Sequence, residues 1–345
     1  MEQGFAFIQS FLKKNESWLI PVLLILVVVF GIGFDHYRRT QHPEWFCNKE
    51  YTYINSELAC TQKQVIKKVA YQDLETRLKN YMNSEMSAGK LQDAGIYFRD
   101  LKEGPVFGIN ENNAFISASL IKLPTVMTVM RLAEQDSTVL QKQVAYEKEI
   151  PSDNQDFMPE ETMEVGKSYT MDDLIYRSLV YSDNAANELL VDELNKLSPN
   201  QNLILTTLHD LGWVVPQSVA QPDISPRRFA SLLRLLYNVS FLSKDNSEEI
   251  LKDLSHSAFE QGITEGVPEG ITVADKFGER QLDYVSPSGK AEGHTNELHD
   301  CGIIYYPGNP YLLCVMTKGQ QFDQLSTIIA SISKMVYEEV NSRKL

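Results

Sequence analysis

The apolar positions change period several times along the chain. From Trp18 to Phe34 they form a continuous run of 17 residues without a charge. Val65, Val69, Leu74, Leu78 and Tyr81 then recur at helical spacing and predict a helix over residues 64–86. Short strand-like stretches at 95–100 and 106–110 flank the turn-forming Lys102-Glu103-Gly104-Pro105 and predict a β-hairpin. From Ser119 the period returns to three and four through Leu120, Leu123, Val126, Met127 and Met130, which places one apolar face against a core. Further helices are predicted at 171–181, 184–195, 202–211, 225–238 and 247–257, the fourth opened by Ser225-Pro226, a capping residue followed by proline at the first helical position. Strands return at 271–277, 301–306 and 311–317, the last two joined across Pro307-Gly308-Asn309-Pro310. A final helix carries Phe322, Leu325, Ile329, Ile332 and Val336. No internal repeat is evident. Strands, many helices, strands and a last helix describe an α/β chain of the α+β kind: an antiparallel sheet assembled from both ends, flanked by helices, with a helical lobe inserted between. The cleft between two such lobes is where a site is expected.

The run at 18–34 corresponds to roughly 25 Å of helix, just enough to span a bilayer. It exceeds the apolar core of a cleavable signal peptide and offers only Gly31-x-Gly33 in place of a small-residue cleavage site. The expected organisation is therefore a cytoplasmic N-terminus at 1–17, a retained transmembrane anchor at 18–34, a polar stalk at 35–62 and a folded domain at 63–345. Lys13 and Lys14 before the run are balanced by Arg38 and Arg39 after it, so the flanks leave the orientation open and the chemistry must decide it.

A net charge of −14 and the absence of any basic run argue against a nucleic-acid partner, which would need clustered Lys and Arg to displace counterions. Cys47 and Cys60, just after the apolar run, are a candidate disulfide if the domain faces an oxidising compartment. Cys301 and Cys314 lie in apolar strands, where a free cysteine behaves as a small buried hydrophobe. No Cys and His set has metal-site spacing, and His294 to His299 does not match the zinc-binding His-Glu-x-x-His pattern, so neither metal nor cofactor is expected. His299-Asp300-Cys301 resembles a thiol triad only in composition, because neighbours on a strand point to opposite faces.

Ser-x-x-Lys occurs four times, at Ser10, Ser87, Ser119 and Ser331. Only Ser119 lies where a strand-rich segment, Phe115 to Ala118, meets the start of an apolar helix. There the unpaired amides and the helix dipole favour negative charge on the serine oxygen. Lys122, one turn on, projects from the same face, and a desolvated lysine loses its proton more readily and can serve as a base. Two more motifs follow: Ser182-Asp183-Asn184 at a junction of helices, and Lys276-Phe277-Gly278 in a strand. The ordered set Ser-x-x-Lys, Ser-Asp-Asn, Lys-x-Gly resembles that of the class A β-lactamase and penicillin-binding transpeptidase superfamily. The stretches SASLIKLP, YSDNAANELL, SPRRFASLLRLLY, VADKFGE and HDCGIIYYPGNPYLLCV carry the resemblance from Gln64 to the C-terminus.

The resemblance implies a serine hydrolase or acyltransferase acting on β-lactams or peptidoglycan peptides. Ser119 would attack a carbonyl with Lys122 as general base, Ser182 would relay a proton to the leaving nitrogen, and Asn184 would orient the substrate amide. Lys276 would supply positive charge toward Ser182 and the substrate carboxylate. The amides of Ser119 and Glu279, the residue after Gly278, would form the oxyanion hole. Cell-wall chemistry would place the domain outside the cell membrane on a single-pass anchor.

Two departures from the family pattern bear on activity. Between Trp213 and Pro226 there is no Glu to activate a deacylating water; Asp223 is the one acid there, and its place before Ser225-Pro226 suits tying the loop. Phe277 stands where the family prefers Thr or Ser to bond the substrate carboxylate, and Arg280 is a candidate to compensate with a charge-assisted bond. The competing reading is a catalytically weak, membrane-tethered module that binds peptidoglycan peptide or a protein partner.

Overall fold

The computed structural model describes residues 52–54, 71–102, 104–150, 157, 161–213, 223–285 and 291–343. The apolar run at 18–34, Cys47 and Cys60 lie outside the described residues. Among those described, no helix is long and apolar enough to cross a membrane.

The first helix among the described residues, α1 (Gln72–Ser87), buries Leu74, Leu78 and Met82, four residues apart on one stripe. A hairpin follows, β1 (Asp93–Asp100) and β2 (Val106–Ile109), with Ile96 opposite Ile109 and Phe98 opposite Phe107. Three strands from the far end of the chain complete the sheet: β7 (Val273–Val285), β8 (Ala291–Ile304) and β9 (Tyr311–Gly319). The order is β2-β1-β9-β8-β7 and every pairing is antiparallel. Both ends of the chain thus meet at β1 and β9, and β7 is left as an edge. The C-terminal helix α8 (Phe322–Ser342) lays Phe322, Leu325, Ile329, Ile332 and Val336 with α1 over one face of the sheet, in a core that includes Ile96, Phe98, Leu313 and Val315.

Between the two sets of strands lie a small ribbon and most of the helices. After β3 (Phe115–Ile116) a short 3₁₀ turn at Ala118–Ile121 leads into α2 (Lys122–Ala133). Every α2 residue from Lys122 to Met130 is buried, so this is a central helix wrapped on all sides and not an amphipathic surface one. A two-stranded ribbon of β4 (Gln143–Ala145) and β5 (Ser168–Thr170) precedes α3 (Met171–Val180), which opens with a Thr170/Asp173 capping box. Then come α4 (Asn184–Leu197), α5 (Leu203–Asp210), β6 (Asp223–Ile224), α6 (Pro226–Tyr237) and α7 (Lys244–Leu254). Ser225 caps α6 with Pro226 at its first position. A Cβ at Gly95 would come within 2.8 Å of Pro226, so that glycine admits α6 against β1.

Several expectations are corrected. The helix predicted at 247–257 begins earlier, because Ser243 is its cap and accepts from the Asn246 amide at 3.3 Å. β7 and β8 run well past their predicted limits, since Glu279-Arg280-Gln281 and Glu297 read as loop-like charge although they are strand residues in register, Arg280 opposite Glu297. Cys301 and Cys314 are opposite each other on β8 and β9 and are joined as a disulfide instead of lying as free buried thiols. Within the segment expected as a stalk, the amides of Tyr53 and Ile54 donate to the Glu248 carboxylate at 2.9 and 3.0 Å, and Ile54 is buried, so residues 52–54 pack on the domain.

Candidate active site

Two tight turns set the first half of the site. Ala118 has φ +46° and Ser182 φ +52°, a left-handed conformation uncommon for residues with a Cβ and costing about 1–3 kcal/mol. Such backbone persists only where the surroundings over-determine it. At the first turn the Leu120 amide bonds the Ser117 carbonyl at 3.0 Å. At the second, Asp183 caps α4 by accepting from the Ala185 and Ala186 amides at 2.8 and 3.1 Å, while the Asp183 amide returns to the Arg177 carbonyl.

These turns converge on one ammonium. Lys122 Nζ donates to Asn184 Oδ1 at 2.7 Å and to the Ser182 carbonyl, and lies within hydrogen-bond distance of Ser119 Oγ and Ser182 Oγ, each at 3.1 Å. Lys122 is buried whereas Ser119 is partly exposed, so the nucleophile faces solvent and the base does not. Loss of water around Lys122, reinforced by the positive charge of Lys276, holds its ammonium well below the ordinary lysine value, against the pull of Asp183 and Glu279. A lysine so depressed can accept the hydroxyl proton of a serine 3.1 Å away.

The second half of the site is β7. A Cβ at Gly278 would sit 3.2 Å from the Ser119 amide nitrogen and 3.1 Å from that of Leu120, a tight fit that glycine relieves where this strand lies against the nucleophile turn. That brings the strand's backbone beside the Ser119 amide, as two convergent oxyanion donors require. Lys276 is fully buried; its ammonium bonds the Phe277 carbonyl at 3.1 Å and lies 4.4 Å from the Phe277 ring centroid. Its positive charge disfavours the charged form of Lys122, and among the described residues it makes no direct hydrogen bond to Ser182. Burial pushes Lys276 down to about 7, opposed by the nearby carboxylates of Asp275, Asp300 and Glu279.

Phe277 does not face the cleft. Its ring is buried, stacked on Phe259 at 4.4 Å and met edge-on by Phe157. Glu279 is buried as well, and its carboxylate accepts the Phe157 amide at 3.1 Å. Arg280 is exposed and makes no ion pair among the described residues. Asp223 pairs through the backbone with Ile116, which ties the end of the 213–226 segment to β3; residues 214–222 lie outside the described residues.

Other buried polar groups lie outside the three motifs. Asp275 and Asp300 lie beside Lys276, both carboxyls raised by burial, and Asp300 accepts the Ile263 amide at 2.8 Å. Glu297 and His299 lie on β8 against Ile116. Their signal in the sequence is faint: acids or a histidine at alternate positions of a strand that otherwise buries apolar side chains. Among the described residues no group of His, Cys, Asp and Glu is arranged to hold a metal ion.

A family model described as "Beta-lactamase enzyme family" matches residues 73–340. Among solved structures the chain is similar to PBP-A, with 19% identity, a TM-score of 0.64 and coverage of 81% of this chain and 100% of that one. It is similar also to the class A β-lactamase of Mycobacterium abscessus, with 21% identity, a TM-score of 0.62 and coverage of 78% and 99%. A variant of PBP-A, 18% identical over 81% of this chain, was solved as its acyl-enzyme with penicillin G.

Proposed function

We propose that this chain, which belongs to the β-lactamase enzyme family, is a penicillin-recognising serine hydrolase or acyltransferase that forms an acyl-enzyme on Ser119 with β-lactams or cell-wall peptides. One observation carries the reading: Ser119, Ser182 and Asn184, drawn from separate elements, all meet the depressed ammonium of Lys122. A pure binding module has no need for a buried lysine aimed at a serine hydroxyl.

In the proposed reaction neutral Lys122 takes the Ser119 proton as the oxygen attacks the carbonyl. The developing oxyanion is received by the amides of Ser119 and Glu279, the residue after the Gly278 that lies against the Ser119 turn. Ser182, bonded to Lys122, returns the proton to the leaving nitrogen, and Lys276 supplies positive charge for a substrate carboxylate. The amide side chain of Asn184 orients the substrate. The PBP-A acyl-enzyme with penicillin G supports a β-lactam as the probe. The same reading places the domain outside the membrane on the 18–34 run, and a disulfide between β8 and β9 fits an oxidising compartment.

Deacylation is the weak step of this proposal, because the segment from Trp213 to Pro226 contains no Glu. The full chain incubated with a fluorescent penicillin should give a burst equal to the enzyme concentration, followed by turnover slower by about 10²–10⁴-fold than a base-assisted reaction. Peptide mass spectrometry should find the adduct on Ser119, and Ser119→Ala should abolish it. An adduct elsewhere, or none, would sink the proposal, and rapid burst-free turnover would sink its deacylation step. The second reading, a weakly catalytic binding module, is favoured by Phe277 and Glu279 facing away from the cleft, and it expects no burst.

A further inference from the structure

The nucleophile turn hangs from a strand of two residues, β3, which pairs with β6 on one side only. The backbone of Ile116 points the other way, toward β8, yet β8 offers it side chains in place of a strand. The Ile116 amide donates to Glu297 Oε2 at 2.8 Å, and the Ile116 carbonyl lies 2.9 Å from His299 Nε2. A carbonyl only accepts, so His299 Nε2 carries a proton. Glu297 and His299 are two apart on β8 and therefore share a face; they are 4% and 0% exposed.

We propose that Glu297 and His299 are positioning residues for acylation: one acceptor and one donor stand in for a neighbouring strand at Ile116 and hold the Ser117–Ser119 turn in register with β7. The inference rests on the function proposed above and adds residues to it.

Three further features bear on it. The turn contains Ala118 in the left-handed region, which needs anchors on both sides. Downstream the anchor is the contact with Gly278, and upstream it is Ile116. Second, a buried carboxylate and imidazole are expensive where apolar side chains would pack, so their retention at this place calls for bonds that apolar residues cannot make. Third, the pair is itself held: His299 Nε2 is 3.4 Å from Glu297 Oε2, Lys318 on β9 is 3.6 Å from Glu297 Oε1, and the Phe115 ring meets the imidazole edge-on at 5.4 Å. Burial would raise the Glu297 carboxyl, but the bonds from His299 and the Ile116 amide, with Lys318, bring it below its ordinary range, so it stays an acceptor. A displacement of about 1 Å at a reacting group costs roughly 10²-fold in rate, which makes an anchor three residues from the nucleophile consequential.

Two conservative variants of the full chain test the proposal. Glu297→Gln keeps the reach of an acceptor to Ile116 but removes the charge; Glu297→Asp keeps the charge for His299 and Lys318 but withdraws the acceptor by about 1.5 Å, one carbon–carbon bond. Labelling by a fluorescent penicillin should show the acylation rate constant at least tenfold lower for Glu297→Asp and within threefold of wild type for Glu297→Gln, with the reversible binding constant unchanged in both. His299→Gln, which retains a donor, should also stay within threefold. A merely structural charge pair predicts the opposite order, so Gln as slow as Asp, or slower, overturns the proposal. If the wild-type chain is not labelled at all, the proposed function fails. The positioning claim is then decided by hydrogen exchange of residues 115–119: faster in Glu297→Asp than in wild type or Glu297→Gln supports it, and equal exchange in all three overturns it.

Discussion

Three segments make up the candidate site, and they are built in two opposite ways. The Ser119–Lys122 turn and the Ser182-Asp183-Asn184 junction stand at the starts of α2 and α4, where successive side chains fan around one end of a helix and can gather on a single ammonium. The Lys276–Arg280 segment lies on an edge strand, where successive residues alternate between faces. Gly278 turns to Ser119, while Phe277 and Glu279 turn to Phe157 and Phe259. A helix start therefore concentrates its residues on one point, here Lys122, whereas a strand divides them between the candidate site and the core. An identity that looks wrong for catalysis, such as Phe277, can be right for packing.

The largest expected effect strikes the helix-start side. Lys122→Ala removes the group on which three side chains converge and should slow acylation of Ser119 by about 10²–10⁴-fold, roughly 3–5 kcal/mol of barrier. Stopped-flow labelling with a fluorescent penicillin measures it. A variant that keeps a tenth of the wild-type rate would break the comparison, because the convergence would then be ornamental.

The strand side should respond in stability before activity. Phe277→Thr introduces the hydroxyl that the motif resemblance leads one to expect, but here it empties a buried aromatic stack and should cost about 3–5 kcal/mol in urea or thermal unfolding. Acylation by carboxylate-bearing penicillins should not improve. A gain in acylation without loss of stability would mean that Phe277 faces the substrate after all.

The same division explains what could be read in advance. The helices at 171–180, 184–197 and 226–237 were legible to within a residue or two because apolar spacing and caps such as Ser225 mark both pattern and start. Ser119 and Lys122 were legible because a spacing of three on a helix is a spatial neighbourhood. β7 was recognised only as far as Phe277, since Glu279-Arg280-Gln281 shows neither alternation nor apolar residues although Glu279 is buried. Glu297 and His299 were not legible as partners of Ile116, because the contact spans about 180 residues of chain and depends on the register of β8. The disulfide was hidden for the same reason: Cys301 and Cys314 are opposed only once the β8–β9 register is known.

A smaller effect separates the two lysines by pH. Burial leaves Lys276 titrating at about 7, so it is charged below that value and loses its charge above it. Acylation by a carboxylate-bearing penicillin should therefore fall by about tenfold per pH unit, until the rate of uncharged Lys276 is reached, on the alkaline side of about 7. Lys276→Arg, which stays charged throughout, should remove that fall. A rate flat from pH 6 to pH 9 in the wild type would show that Lys276 does not serve the substrate carboxylate.

The smallest effect falls inside the Ser-Asp-Asn motif, where the middle residue has a structural and an electrostatic part that two substitutions separate. Asp183 caps α4 through the Ala185 and Ala186 amides, and its negative charge is among those that raise the otherwise depressed Lys122. Asn is as good a cap as Asp, so Asp183→Asn should unfold like the wild type, whereas Asp183→Ala should lose about 1 kcal/mol. Both remove the charge, which lets the Lys122 value fall further. Lys122 acts as a base only when neutral, so the acid limb of the acylation profile should move to lower pH in both variants. At the acidic foot of the profile the variants would then label slightly faster than wild type, and at neutral pH about equally. A limb that moves to higher pH, or moves for Ala and not for Asn, would mean that Asp183 acts on Ser182 and Asn184 through backbone geometry alone, and the helix-start cluster would have to be read as positional throughout.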